Sequence, residues 1–139
     1  MEFELLTLTG TKFSGDVKQV TLRTAEGDIG ILPNHEPLTA AVAPGPVTVY
    51  KKGGDQNEVF AVFGGLLEVA AGRVRLLADE AELAEELIAN EVEAALKHAE
   101  TLKAAAKDKV ELARAQELVD REVVRLGVAK MRRHPRRER

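Results

Sequence analysis

The alternation of apolar and polar residues changes period once along this chain. Up to about Ala78 it is the period of strands. "FELLTLTG" (3–10) is rich in β-formers, and "VKQVTLRT" (17–24) sets Val17, Gln19, Thr21 and Arg23 against Lys18, Val20, Leu22 and Thr24. "PVTVYKK", "EVFAVFG" and "RVRLLAD" repeat the theme, with breaks at "GDIG", "APGP", "KGGDQN" and "AAG". Short strands parted by such turn residues predict an all-β sandwich or barrel. Gly53-Gly54-Asp55 suits a hairpin connection. The stretch "EGDIGILPNHEPL" (26–38) gathers two glycines, two prolines and His35, and reads as an elaborate turn. Its residues leave three uses open: a catalytic loop, a phosphate loop, or an edge presented to a partner.

After Asp79 the period lengthens. "DEAELAEELIANEVEAALKHAETLKAAAK" has no glycine or proline and predicts a helix over about 81–106, with Asp79 and Glu82 as its capping box. Ala84, Ile88, Val92, Ala95, Ala99, Leu102 and Ala106 recur at steps of three and four, which lines up one face. Asp108 with Glu111 forms a second capping box. It opens a helix over 109–133 with Leu112, Ala115, Val119, Val123 and Leu126 as its stripe and Pro135 as its stop. The fold class expected is therefore mainly β plus α: a β sandwich over 1–80, then an antiparallel two-helix hairpin within 81–139. Most stripe residues are alanine or valine, and "AAKDK" between the helices holds no glycine or proline. Folded hairpin and extended helices are thus expected to lie close in free energy, as a conformational switch requires.

With 139 residues, the chain has room for one domain or a small one plus an appendage, and 45% hydrophobic with 31% charged residues is a globular composition. Without cysteine there is no disulfide, thiol nucleophile or thiolate metal site. No run approaches the roughly 20 apolar residues of a membrane span, and "MEFELLTLTG" lacks the layout of a signal peptide. The chain is expected in the cytosol unless a partner holds it at a membrane. Charge is uneven: residues 1–79 carry 7 Lys/Arg and 10 Asp/Glu, 80–128 carry 7 and 12, and the tail 129–139 carries 6 and 1. A basic tail on an acidic body suggests an acidic protein surface or a nucleic acid as partner, or simply a solvated end.

Catalytic chemistry finds little support. His35, His98 and His134 are scattered without metal-ligand spacing, Ser14 is the lone serine, and Glu85-Glu86 reads as solvated helix surface. No Walker or dinucleotide pattern follows "EGDIG", and Gly64-Gly65 suits close strand packing or a bulge. Phe3, Phe13, Tyr50, Phe60 and Phe63 fall mostly at core-like positions, which leaves no stacking platform for a nucleic acid. A free-standing β-sandwich adaptor and an RNA-binding module using "KMRRHPRRER" remain as rival readings.

Taken in order, "SGDVKQVTLRT" (14–24), "EGDIGILPNHEPL" (26–38), "FGGLLEV" (63–69), "RVRLLADEAE" (73–82) and "REVVRLGVAK" (121–130) resemble the epsilon subunit of bacterial and chloroplast F-type ATP synthases. The resemblance spans almost the whole chain. It implies a flattened sandwich of about ten strands followed by two helices. It also implies a non-catalytic rotor subunit that joins gamma to the membrane ring and whose C-terminal helices, when extended, block ATP hydrolysis. Its partners would be gamma, the ring and the catalytic β and α subunits, with no nucleic acid, no metal and no cofactor. Its place would be peripheral, on the cytoplasmic face of the cell membrane or the stromal face of a thylakoid.

By the same resemblance, Glu26, Asp28, Asn34 and His35 form a ring-facing rim, stiffened by Pro33 and Pro37. For His35 a hydrogen bond that fixes the loop and a contact with gamma or a catalytic subunit both stay open. Arg121, Arg125, Lys130, Arg132 and Arg133 would make the inhibitory contacts, with Arg136, Arg137 and Arg139 adding long-range attraction. Some members bind ATP on the hairpin through an apolar residue, Asp, two variable residues, Arg and Ala. Here those places hold Leu87, Ile88, Ala89, Asn90, Glu91 and Val92, while His98 replaces a further arginine and Arg121 and Arg125 remain. ATP binding is expected to be weak or absent.

Overall fold

The computed structural model describes residues 1–53 and 57–133. Among them are nine strands: β1 (Glu2–Thr7), β2 (Gly10–Thr24), β3 (Gly27–Ile31), β4 (Leu38–Val42), β5 (Gly45–Lys51), β6 (Asn57–Val62), β7 (Gly65–Ala70), β8 (Arg73–Ala78) and β9 (Ala81–Leu83). A single 3-10 turn at Ala84–Glu86 leads to α1 (Ala89–Ala104) and α2 (Lys109–Arg133). The mainly-β sandwich with two following helices is as expected, with nine strands among the described residues where about ten were implied.

The long strand β2 joins the two layers. Its first half pairs antiparallel with β1, while its second half pairs with β3 on one edge and β5 on the other. The sheet order β1-β8-β7-β4-β2-β5-β6-β9 then folds over a shared core. A register shift between Val17 and Gln19 turns both Val17 and Val20 inward, one odd and one even position, which strict alternation forbids. Phe3, Leu5, Val20, Ile31, Val49, Phe60, Leu67 and Leu76 fill the interior. Gly65 has a φ of +144°, and a Cβ there would stand 2.2 Å from the Leu77 carbonyl oxygen, so only glycine admits the close β7–β8 approach read from the sequence.

Three expectations are corrected. Gly27–Ile31 is not turn but strand, zipped to β2 from Thr24–Gly27 to Val20–Ile31; only 32–37 is loop. The first helix begins at Ala89 rather than about 81, and Asp79 and Glu82 do not cap it. Its N-cap is Ile88, with no side-chain bond. Residues 81–83 instead pair with β6, so edge-strand hydrogen bonds outweigh a helix propensity worth only tenths of a kcal/mol per residue, and the sandwich runs past residue 80. Finally, the inner stripe of α2 is as predicted only in part: Ala115 is buried as expected, but Val123 and Leu112 are exposed, while Glu122, Val128 and Ala129 are buried. Asp108 does cap α2, its Oδ1 accepting from the Glu111 N–H at 2.8 Å, while Glu111 Oε2 accepts from the Lys107 N–H at 2.9 Å, one residue before the N–H a capping box engages. The hairpin at 54–56 and the stop at Pro135 lie outside the described residues.

Candidate functional site

Where α2 lies against the sandwich edge, sequence-distant groups converge. The apolar part is small: Ala61 of β6, Ala84, Leu87 and Val92 meet Val128 and Ala129 of α2, with Phe63, Val124 and Leu126 at the margin. Small side chains bring the backbones close but bury little area each, so the seat adds modestly to stability. Ionic contacts supply the rest. Arg121 reaches Glu80 at 2.8 Å and stacks its guanidinium 4.6 Å from the centre of the Phe63 ring. One turn on, Arg125 donates from Nε to Glu82 Oε2 at 2.7 Å and from Nη2 to Glu82 Oε1 at 3.4 Å.

The same guanidinium also pairs with Glu122, its Nη1 donating to Oε2 at 3.0 Å and to Oε1. Glu122 is a carboxylate with only 7% of its side chain exposed. Burial works against the charged form of Arg125, but hydrogen bonds to Glu82 and then Glu122 outweigh it and hold the pKa above its ordinary value. One cation thus serves two carboxylates, one from the sandwich and one from its own helix.

Five arginine and lysine positions expected to contact catalytic subunits therefore divide. Arg121 and Arg125 are engaged with the sandwich, and Lys130 is exposed on α2. Arg132 and Arg133 fall in the last turn of α2. Their side chains, and the tail with His134, Arg136, Arg137 and Arg139, lie outside the described residues. Of the degenerate ATP positions, Ile88 is 55% exposed at the N-cap of α1, Glu91 and His98 are exposed along α1, and both arginines face carboxylates.

The four rim residues are split by β3. Glu26 sits at the tip of the β2–β3 hairpin, where its N–H donates to Thr24 Oγ1, and Asp28 pairs with Arg23 at 3.1 Å. Asn34, in a left-handed conformation (φ 70°), and His35 follow the far end of the strand, roughly 13 Å away at a strand's rise per residue. There the His35 Nδ1–H donates to the carbonyl of its neighbour Glu36 at 2.8 Å, within the exposed loop.

One feature escaped the sequence reading. Three doubled leucines, Leu5-Leu6, Leu66-Leu67 and Leu76-Leu77, occur in strands, and a period of two must turn one of each pair outward. Leu5, Leu67 and Leu76 go to the core. Strand register then aligns the others in one row, Ala41–Leu66–Leu77–Leu6, across four strands. Leu66 and Leu77 are 39% and 40% exposed. Beside them runs a charged row in which Arg75 pairs across strands with Glu4 and lies opposite Glu68. The doublets were the available signal.

The fold is thus a β sandwich with an uncovered apolar row and with α2 seated at its edge by a small apolar cluster and two ion pairs. Comparison with known proteins gives the family. Residues 1–84 match the model described as ATP synthase, Delta/Epsilon chain, beta-sandwich domain. The ATP synthase epsilon chain of Herpetosiphon aurantiacus is 37% identical over 96% of this chain and 97% of its own length. That of Bacillus velezensis is 37% identical over 93% and 96%. A chain in the Euglena gracilis mitochondrial ATP synthase (OSCP/F1/c-ring, rotational state 1) superposes with a TM-score of 0.79 at 25% identity, covering 93% of this chain and 79% of that one. A chain in the central stalk/c-ring structure of the Tetrahymena thermophila mitochondrial enzyme shares the fold, with a TM-score of 0.63 at 14% identity over 93% of this chain and 96% of that one. This chain belongs to the ATP synthase epsilon chain family.

Proposed function

We propose that this protein is a non-catalytic subunit of the ATP synthase central stalk that links gamma to the membrane ring and restrains ATP hydrolysis through α2. The observation that carries this reading is the contrast between the two packing regions. The sandwich is closed over a continuous core of large side chains, whereas α2 rests on a small apolar cluster and two ion pairs, Arg121–Glu80 and Arg125–Glu82. Such a helix leaves its seat without unfolding the domain beneath it.

The apolar row Ala41–Leu66–Leu77–Leu6 is the face offered to gamma. The β2–β3 hairpin tip, with Glu26 and Asp28, is the end offered to the polar loops of the ring. Once released, Arg121, Arg125 and Lys130 meet acidic segments of the catalytic β and α subunits. Membrane association comes through these partners; among the described residues no helix is long and apolar enough to cross a membrane. The protein then sits on the cytoplasmic face of a bacterial cell membrane, or on the stromal face of a thylakoid. ATP is not a working ligand of the hairpin, because the carboxylates of Glu80, Glu82 and Glu122 already occupy its two arginines.

The test is reconstitution of epsilon-depleted enzyme with full-length protein and with a deletion of 107–139. Both should bind gamma and restore coupling, and the deletion should raise ATP hydrolysis. Equal hydrolysis rates would remove the inhibitory role, and failure to co-elute with gamma would remove the rotor role.

A further inference from the structure

Glu122 is an expensive residue at its position. The stripe it occupies, between Ala115 and Ala129, would bury an apolar side chain at no electrostatic cost, yet a carboxylate stands there almost fully covered. Its cation is Arg125, three residues on, and a guanidinium so tethered has its remaining edge pointed at Glu82 of β9. Glu122 therefore costs desolvation and returns orientation. It holds the Arg125 fork in the plane that meets Glu82, where a free arginine would sample many rotamers. Glu80 and Arg121 repeat the helix-to-sandwich pairing one turn earlier, in a more exposed setting. Glu80 and Glu82 of the acidic stretch 79–86 thus present to α2 the kind of charge an acidic partner would present.

We propose that Glu82 and Glu122, assisted by Glu80, form an ionic latch that sets how much of the population has α2 released, with the sandwich acting as an internal competitor for the helix's arginines. This rests on the reading of α2 as a mobile element. Glu122 is a positioning residue in the latch. When α2 leaves, Glu122 regains water and Arg125 regains its freedom, so the acidic strap and an acidic partner surface take the same two arginines in turn.

The chain has no cysteine, so two introduced at the exposed Lys18 and Lys130 carry spin labels without background. Pulsed dipolar distances in the otherwise full-length protein then report docked against released α2. Glu82→Gln and Glu122→Gln, near-isosteric neutral changes, should each raise the released-to-docked ratio by about tenfold or more, the scale of a lost charge-assisted pair. Glu117→Gln, an exposed carboxylate elsewhere on α2, should leave the distribution unchanged. Raising salt from 50 to 500 mM should release α2 in the parent protein, and that salt response should flatten in the double variant, which a loss of packing alone would not produce. A parent-like distance distribution in both glutamine variants, or an equal shift from Glu117→Gln, overturns the latch. If the variants release α2 but leave hydrolysis by the reconstituted enzyme unchanged, the latch stands and the inhibitory reading fails.

Discussion

Arg125 on α2 and Glu82 on β9 stand 43 residues apart in the chain and 2.7 Å apart in space. That single contact ties the helical hairpin to the last strand of the sandwich, and it relocates the boundary between the two parts. A cut after residue 80 would strip β9 from the edge of β6 and expose the backbone of Phe60–Val62. Truncation at residue 88 keeps the strand. We expect residues 1–88 to fold and bind gamma, and residues 1–80 to unfold at lower urea and aggregate. Chemical denaturation of the two fragments side by side checks this.

The row of outward leucines gives a second prediction. Leu66→Ser and Leu77→Ser remove apolar area that water already reaches, so the unfolding midpoint should move little. Binding to gamma should weaken severalfold for either change, since docking covers the remaining two-fifths of each leucine, worth roughly 0.6–1.2 kcal/mol. Calorimetric titration of gamma with each variant reads this out. Undiminished binding would locate the gamma contact elsewhere on the sandwich.

Much of the architecture is legible in the sequence because period and punctuation agree in it. "VKQVTLRT" alternates, "AAG" turns, and Asp108 caps. The misreadings occur where tertiary contacts override local preference. Residues 81–83 carry helix formers, but an unpaired β6 edge claims them. Val123 fits a helical stripe as well as Glu122 does, but the face buried at Ala115, Val128 and Ala129 carries Glu122 inward, where Arg125 pairs with it. Glu26 and His35 look like one turn in sequence because a five-residue strand rich in glycine resembles a loop. The arginines of the candidate site were visible as charges, whereas their partners on the sandwich were not, since pairing over 43 residues leaves no local trace.

Two glycines of the fold should respond in opposite directions to alanine. Gly65→Ala drives a Cβ to 2.2 Å from the Leu77 carbonyl oxygen at a φ of +144°, and should destabilise the sandwich by about 2 kcal/mol or more. Gly127 lies inside α2 with open space around its would-be Cβ. Gly127→Ala should strengthen that helix by about 0.5–1 kcal/mol. Urea unfolding measures the first, and amide exchange along α2 the second.

At the hairpin tip, Asp28 and Arg23 form an exposed pair, 75% and 48% accessible on their side chains. Asp28→Asn should therefore change stability by less than about 0.5 kcal/mol. Under the proposed function its effect would lie in the ring contact. Asp28→Lys should weaken assembly with the ring by about 1–3 kcal/mol if a partly desolvated pair forms there. Co-sedimentation with ring-containing vesicles compares the two, and equal retention of Asp28→Lys would take Asp28 out of the interface.

ATP affinity of the hairpin is the sharpest negative prediction. A polyphosphate needs cations that are free or cheaply freed; Arg121 shares an exposed pair with Glu80, but Arg125 is held by two carboxylates at once. Displacing Glu82 and Glu122 from Arg125 would leave a carboxylate with a 7% exposed side chain beside an incoming phosphate. Glu91, on the first turn of α1, adds a negative charge where an arginine would attract, and Ile88 has no acceptor for a ribose or adenine hydrogen bond. Isothermal titration of the full-length protein should give no saturable signal at micromolar ATP, with an apparent Kd in the millimolar range or beyond. Glu82→Gln should not create a site, because Glu91 and Glu122 remain. A one-to-one isotherm at micromolar ligand would mean that the carboxylates yield to phosphate, and that the latch on α2 opens by exchange of anions rather than by release.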